Sequence, residues 1–443
     1  MRRRCGSRCV AVVVLIALRP TYADAQQAPS PSTAGSPWLD RVGGLGLDQA
    51  IALAREREPS LQAARADSDV ARGQRRQGGL RPNPSLTFEN RQEPGGTDHL
   101  VSVGVEWPLD LFRRSGRVAT ADREVTVAES VAADRERILI ADVVLQYGRA
   151  LAAIREAQVA ADLAATVEAQ ATSMRAKADE GAAPRLESDL LQVEVRRLQA
   201  QRDLADGRAE RAVIALKPLL GMMAGERLAL REPLEALVAA HAIPNPLTIA
   251  TRPSSRADVR AAMQRELVAE AQVDQARREG RFDVSLFGAY MRMDAGFPQF
   301  GVSSSGVPER VRGQFDYVSV GAVVTLPILN RNQGRIAAAH AERTAADARR
   351  RAIELAAASE VAAATARVER AQRALSAYGE STRELARRNL DVVRQTFELG
   401  RATVFDVLME QRRYLEFEQG YTAALLEAWE AYADVRRAAG EAK

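Results

Sequence analysis

Between residues 99 and 107 apolar and polar side chains alternate, so Val101, Val103, Val105 and Trp107 fall on one side of an extended chain and Ser102, Gly104 and Glu106 on the other. The same period of two runs through residues 85 to 91, 282 to 292 and 317 to 326. The last two runs are separated by a stretch holding Gly301, Ser303, Ser304, Ser305 and Gly306. The pattern predicts two hairpins whose strands approach the roughly 9 to 11 residues that cross a membrane, with residues 85 to 91 falling short.

Past Pro108, and again past Pro327, the texture changes. Residues 117 to 180 and 335 to 399 contain no proline and hardly any glycine, and Ala, Arg and Glu dominate. Each run predicts a helix of about 64 residues, on the order of 95 Å long. Gly181 and Gly400 then turn the chain, and return helices are expected over about residues 185 to 216 and 403 to 437. The return helices carry a seven-residue rhythm. Val407, Tyr414, Tyr421, Ala428 and Val435 form one line with Leu408, Leu415 and Trp429 beside it, and Leu191, Leu198, Ala205, Ala212 and Leu219 form another. Each long helix therefore has a coiled-coil partner, and the abundant alanine suits a wall of closely packed helices.

The two halves follow one plan. Val101-Ser102-Val103-Gly104 leads through Pro108 to Gly116-Arg117-Val118-Ala119, and Val318-Ser319-Val320-Gly321 leads through Pro327 to Gly334-Arg335-Ile336-Ala337, at an offset of about 218 residues. So long a period is a duplicated module and not a solenoid unit. The expected division begins with a signal peptide at residues 1–25 and a flexible N-terminal tail at 26–46. A first repeat at 47–217 holds a helix over 47 to 77, a β-hairpin over 85–107 and a helical hairpin over 117–216. An equatorial linker at 218–256 leads to a second repeat at 257–437, with a helix over 257 to 278, a β-hairpin over 282–326 and a helical hairpin over 335–437. Residues 438–443 form a C-terminal tail.

The first residues read as a secretory leader. Arg2, Arg3, Arg4 and Arg8 precede an apolar run over residues 10 to 18, and Ala23-Asp24-Ala25 offers a small-x-small cleavage site. Both cysteines, Cys5 and Cys9, lie within it, so the mature chain is expected to have no disulfide and no thiolate metal site. Removing it takes away five arginines and Asp24, which brings the formal charge of +4 to neutrality and speaks against a nucleic-acid partner. No later stretch reaches the roughly 18 consecutive apolar residues of a membrane helix, so a membrane can be crossed only by strands. Four strands alone leave two open edges unpaired in hydrocarbon, at several kcal/mol per group. Three copies give twelve strands, an even number wide enough for a lumen.

Several blocks carry a family resemblance: Pro82-Asn83-Pro84; Trp107-Pro108-Leu109-Asp110-Leu111-Phe112 leading to Gly116-Arg117; Leu326-Pro327-Ile328-Leu329 leading to Gly334-Arg335; and Leu399-Gly400-Arg401-Ala402-Thr403-Val404-Phe405-Asp406-Val407-Leu408. Their order and spacing resemble the TolC family of outer membrane efflux proteins over essentially the whole mature sequence. The resemblance implies a mainly α fold with a membrane β-barrel. In it a homotrimer sets a 12-stranded β-barrel in outer membrane lipid on a 12-helix α-barrel reaching into the periplasm. It further implies the exit duct of a tripartite efflux system, with a periplasmic adaptor protein and an inner-membrane pump as partners. The first two blocks look most like the branch serving cation-efflux pumps of the resistance-nodulation-division type. The exit duct of a type I protein secretion system shares the fold and stays open as an alternative. A pore-less periplasmic coiled-coil tether is a third reading, against which the one-sided apolar strands speak.

The resemblance also places residues. Asp406 matches a family aspartate that narrows the periplasmic mouth, where three copies would form a carboxylate ring. An acid in the first turn of a helix is equally favoured by the helix dipole alone. Met409 stands where the family has a second aspartate, so a second ring is not expected. Gly181, Ala182, Gly400 and Arg401 match the tips at which the adaptor docks, although any helical hairpin needs a turn glycine. No cofactor and no catalytic or metal-binding residue is expected. His99, His241 and His340 are scattered, and Met291 and Met293 share a strand face without further ligands. No His or Cys stands near the acids at catalytic spacing, so the chain is not expected to be an enzyme.

Overall fold

The structure is a computed structural model and describes residues 36–94, 96, 98–241 and 256–440. The expected leader at 1–25 lies outside the described residues, as do 242–255 of the linker and 441–443 of the C-terminal tail. The elements run α1 (Leu47–Arg57), α2 (Pro59–Gly78), β1 (Ser85–Gln92), β2 (His99–Pro108), α3 (Arg113–Asp179), α4 (Arg185–Leu216), α5 (Leu234–Ala240), α6 (Ala257–Glu279), β3 (Asp283–Val302), β4 (Pro308–Thr325), α7 (Gln333–Ala377), α8 (Glu380–Glu398) and α9 (Val404–Ala439). Among the described residues no helix is long and apolar enough to cross a membrane.

The helices depart from expectation at two breaks. The single helix expected over 47 to 77 is two, because Pro59 cannot continue α1 and instead opens α2. Glu58 caps the new start, its carboxylate accepting from the Leu61 amide at 2.6 Å and from the Ser60 hydroxyl at 2.7 Å. In the first repeat α3 runs unbroken for 67 residues, about 100 Å. Its counterpart is split into α7 with 45 residues and α8 with 19, parting at Tyr378 and Gly379. Counted back from the tip glycines, the first repeat has Ala160 where the second has Gly379, and alanine continues a helix where glycine gives it up. The Tyr378 ring fixes the break by packing on Phe417 and Tyr421 of α9, at 5.4 and 6.4 Å between centroids.

The tail expected to be flexible over 26–46 is tied down from Ser36 onward. The Leu230 amide donates to the Trp38 carbonyl and the Asp40 amide to the Leu230 carbonyl, both at 2.8 Å, while the Leu45 amide donates to Ala229. The Tyr147 hydroxyl on α3 donates to the Leu45 carbonyl at 2.8 Å. This strand-like pairing joins an apolar cluster in which Leu47, Leu61, Leu139, Val143, Leu216, Leu230, Leu234 and Trp429 are buried around α3. A second cluster, nearer the hairpin tips, joins Val167, Met174, Leu191 and Leu198 to Val404 and Leu415. Of the heptad positions, Leu191, Leu198, Ala205, Val407, Leu415, Ala428, Trp429 and Val435 are buried, whereas Ala212, Leu219, Leu408, Tyr414 and Tyr421 are half-buried.

The four strands form one antiparallel sheet in the order β1-β2-β3-β4, with β1 and β4 at its edges. The register sets Leu86 and Phe88 beside Val103 and Val105, and these beside Leu286, Tyr290, Val318 and Val320, all on one face. That face is open to the surroundings: Val318 and Val320 are 80% and 83% exposed, Leu86 and Phe88 72% and 69%. The opposite face carries Thr87, Ser102, Gly104, Ala289, Ser319 and Gly321. The second hairpin is longer than the alternation predicts, with 20 residues in β3 and 18 in β4. Gly296, Pro298, Gly301 and Gly313 read as loop in the sequence, but a bulge between Gly296 and Phe300 takes up the irregularity and the pairing continues to Val302↔Pro308.

Candidate functional site at the helical tips

Both helical hairpins reverse by the same device. Gly181 has φ +78° and Gly400 φ +69°, left-handed backbone that L side chains rarely adopt. The Ala182 amide closes back on the Lys177 carbonyl at 2.8 Å and the Arg401 amide on Thr396 at 2.9 Å. The glycine amides bond to Ala178 and Phe397. These are the crossed bonds of a Schellman closure, and they satisfy carbonyls the helix ends would otherwise leave unpaired. A side chain at either glycine would meet open space, so the backbone angle and not crowding demands glycine there. Ala182 and Arg401, next in the chain, are exposed.

Asp406 sits at the third position of α9 and completes a capping box with Thr403. Its Oδ2 accepts from the Thr403 amide at 2.8 Å and from the Thr403 hydroxyl at 2.7 Å, while the Asp406 amide donates to the Thr403 hydroxyl at 3.3 Å. The hydroxyl and backbone bonds hold the carboxyl below the usual aspartate range, so it is an anion at neutral pH. Val404 is buried against the first hairpin and Val407 is buried as well, whereas Phe405, Asp406 and Met409 are exposed. The carboxylate thus points away from the contact between hairpins, with the Met409 thioether one turn on along the same face.

The sequence reading missed the counterpart of this acid. Glu187 lies six residues after Gly181, as Asp406 lies six after Gly400, and is likewise an acid in the first turn of its helix. It also missed a buried ion network higher on α9. Arg155 of α3 bonds Glu235 at 2.5 Å and Glu418 at 2.6 Å, and also the Thr422 hydroxyl. Arg383 of α8 takes the other Glu418 oxygen at 3.1 Å. The Tyr421 ring lies beside both guanidinium groups, 4.9 Å from that of Arg155 and 5.2 Å from that of Arg383. Charged residues at heptad core positions are the signal that could have found it, since Glu418 falls three residues after the buried Leu415.

The three histidines stay apart. His241 packs edge-on to Trp429, His340 meets Arg277, and His99 faces Asp294 at 3.9 Å. Among the described residues no group of three or more His, Cys, Asp or Glu could hold a metal ion.

A model of the outer membrane efflux protein family matches residues 50–222 and 253–441, most of the chain. The chain belongs to the outer membrane efflux protein family. Its fold is similar to that of the transmembrane channel CusC, at 16% identity and a TM-score of 0.70, over 89% of this chain and 92% of that one. It is similar also to VceC of Vibrio cholerae (17% identity, TM-score 0.69, 89% of this chain and 96% of that one). MtrE of Neisseria gonorrhoeae, an outer membrane channel in its open state, matches at 20% identity and a TM-score of 0.68, over 89% of this chain and 88% of that one. The comparison with curated proteins found no match. The expected resemblance to TolC-type channels is therefore correct, as is the mainly helical fold with an antiparallel sheet. Membership of this family places the efflux protein in the outer membrane.

Proposed function

We propose that three copies of this efflux protein join their sheets edge to edge into a twelve-stranded barrel, and their helices into a periplasmic tunnel that serves as the exit duct of a tripartite pump. The observation that carries this reading is the sheet itself: two unpaired edge strands and one apolar face exposed across all four strands. The apolar face suits lipid, but the unpaired edges are not tolerable there until they close on other copies. The duct is passive. Substrate enters from an inner-membrane pump, with the resistance-nodulation-division type favoured, through a periplasmic adaptor docked on the tips at Gly181, Ala182, Gly400 and Arg401. Three Asp406 carboxylates ring the periplasmic mouth, attract cations and hold the resting opening narrow.

The test is single-channel recording in planar bilayers from the purified protein and its Asp406→Ala variant. Discrete steps that grow in the variant are expected. Equal steps in both would leave the duct standing and remove the carboxylate gate. Absence of steps at every polarity and salt concentration would favour a pore-less tether.

A further inference from the structure

The four helices that flank the strands in sequence lie side by side, α2 packed on α3, α3 on α6 and α6 on α7. One hollow of about 720 Å³ is lined by all four, through Ala71 of α2, Val127 and Ala128 of α3, Val268 of α6, and Ala346 and Ile353 of α7. A flat row of four helices has no place that all of them reach, so the row is curved and the hollow lies on its concave side. When three such rows close into a tube, that side faces the axis. The volume falls within the roughly 300–1,000 Å³ of small-molecule sites.

A concave apolar patch on the wall of a water-filled duct marks a binding surface. The charges around it are not equivalent. Glu342 and Arg349 satisfy each other at 2.6 Å. Arg265 is exposed, and its long stem carries the guanidinium into water. Glu124 is half-buried and, among the described residues, takes part in no ion pair or hydrogen bond. Two residues before it and five after it, on the other side of α3, Asp122 pairs with Arg75 at 2.6 Å and Glu129 with Arg72 at 2.8 Å. The acids of α3 that turn away from the hollow are thus neutralised in place, and the one that lines it is not. A carboxylate held against apolar surface without a counter-charge favours a ligand that brings one.

We propose that each hollow is a binding site for an amphiphilic organic cation, with the apolar body on Val127, Ala128, Val268 and Ala346 and the charge against Glu124. The inference rests on the tunnel reading above and gives the tunnel wall a site that selects one chemical class of solute. It lies on the order of 85 Å along α3 from the tip at Gly181, well apart from the carboxylates at the periplasmic mouth. Three copies around the axis give three such sites, and an occupied site narrows the bore and lowers the current it carries.

The experiment uses the full protein in lipid nanodiscs and in planar bilayers. The probe is tetraphenylphosphonium, and tetraphenylborate, of nearly the same shape and opposite charge, is its control. Saturable binding of the phosphonium by calorimetry, with empty discs subtracted, is expected together with a smaller single-channel step. Glu124→Gln should weaken binding by about tenfold or more, the loss of one charge-assisted contact. Ala128→Phe should fill the hollow and abolish binding, whereas Glu129→Gln, on the outer side of the same helix, should leave it unchanged. Lack of saturable binding, equal binding of the borate, or wild-type affinity in Glu124→Gln or Ala128→Phe would overturn the site. Binding that leaves the step unaltered would overturn its place on the tunnel wall. The steps of the protein without probe test the duct separately: their absence would overturn the tunnel reading and this placement with it.

Discussion

The indole of Trp429 on α9 fills the space that Gly148 leaves open on α3. Its Nε1 donates to the Val144 carbonyl at 2.7 Å, and the ring is almost wholly buried. A methyl at position 148 would overlap the ring edge. In an exposed helix Gly→Ala gains up to about 1 kcal/mol. Here overpacking outweighs that gain, and Gly148→Ala is expected to destabilise by about 1–3 kcal/mol. Thermal unfolding followed by circular dichroism is the check, and a raised melting temperature would refute the packing argument.

Glu418 is the hinge pin of the buried network. Burial pushes its carboxyl up, but the hydrogen bond and charge of Arg155, followed by those of Arg383, outweigh this and leave it below the ordinary glutamate value of 4.5. A depressed carboxylate contributes stability above its unfolded value and loses it as pH falls through the folded one. Glu418→Ala leaves Arg155 with Glu235 as its one remaining carboxylate and is expected to cost about 1–3 kcal/mol at pH 7. The deficit relative to wild type should shrink once pH falls well below 4.5. A denaturant titration of both proteins at pH 7 and at pH 3 measures the difference.

The plan of two strands and a helical hairpin, twice over, was readable because alternation, heptads and turn glycines are local signals. The break at Tyr378–Gly379 was not, since one glycine in an alanine-rich run decides little until Tyr378 finds Phe417 across the bundle. The extra length of β3 and β4 was hidden for a similar reason: Gly296, Pro298 and Gly301 look like loop, and only pairing with residues 308–313 makes them strand. Trp38 and Leu45 looked like part of a loose tail because their partners, Leu230 and Tyr147, lie far along the chain. Asp406 was legible as an acid at a helix start, whereas the network around Glu418 draws Arg155 from α3, Arg383 from α8 and Glu235 from α5.

The tip glycines make a separable prediction. Gly181→Ala and Gly400→Ala meet no steric obstacle, so each should cost only the strain of a left-handed alanine, about 1–2 kcal/mol, and should leave the folded helices intact. If the adaptor docks there, the distorted turns should weaken adaptor binding and efflux while single-channel conductance stays unchanged. Binding of the purified adaptor to immobilised wild type and variants reads this directly. Undiminished binding in the double variant would move the docking surface elsewhere.

Thr403 separates the capping role of Asp406 from its proposed role at the mouth. Within the chain, the Thr403 hydroxyl and amide bonds lower the Asp406 carboxyl, so the anion persists as pH falls below the ordinary aspartate value of 3.8. Thr403→Ala removes the hydroxyl bond and must raise that carboxyl relative to wild type, whatever repulsion the ring adds. If the carboxylates narrow the mouth, conductance should climb as they are protonated, and the climb should begin at a higher pH in Thr403→Ala. Asp406→Asn should conduct at the enlarged level at every pH. A pH series of single-channel steps for the three proteins decides the matter. Identical, flat profiles would show that Asp406 does no more than cap α9.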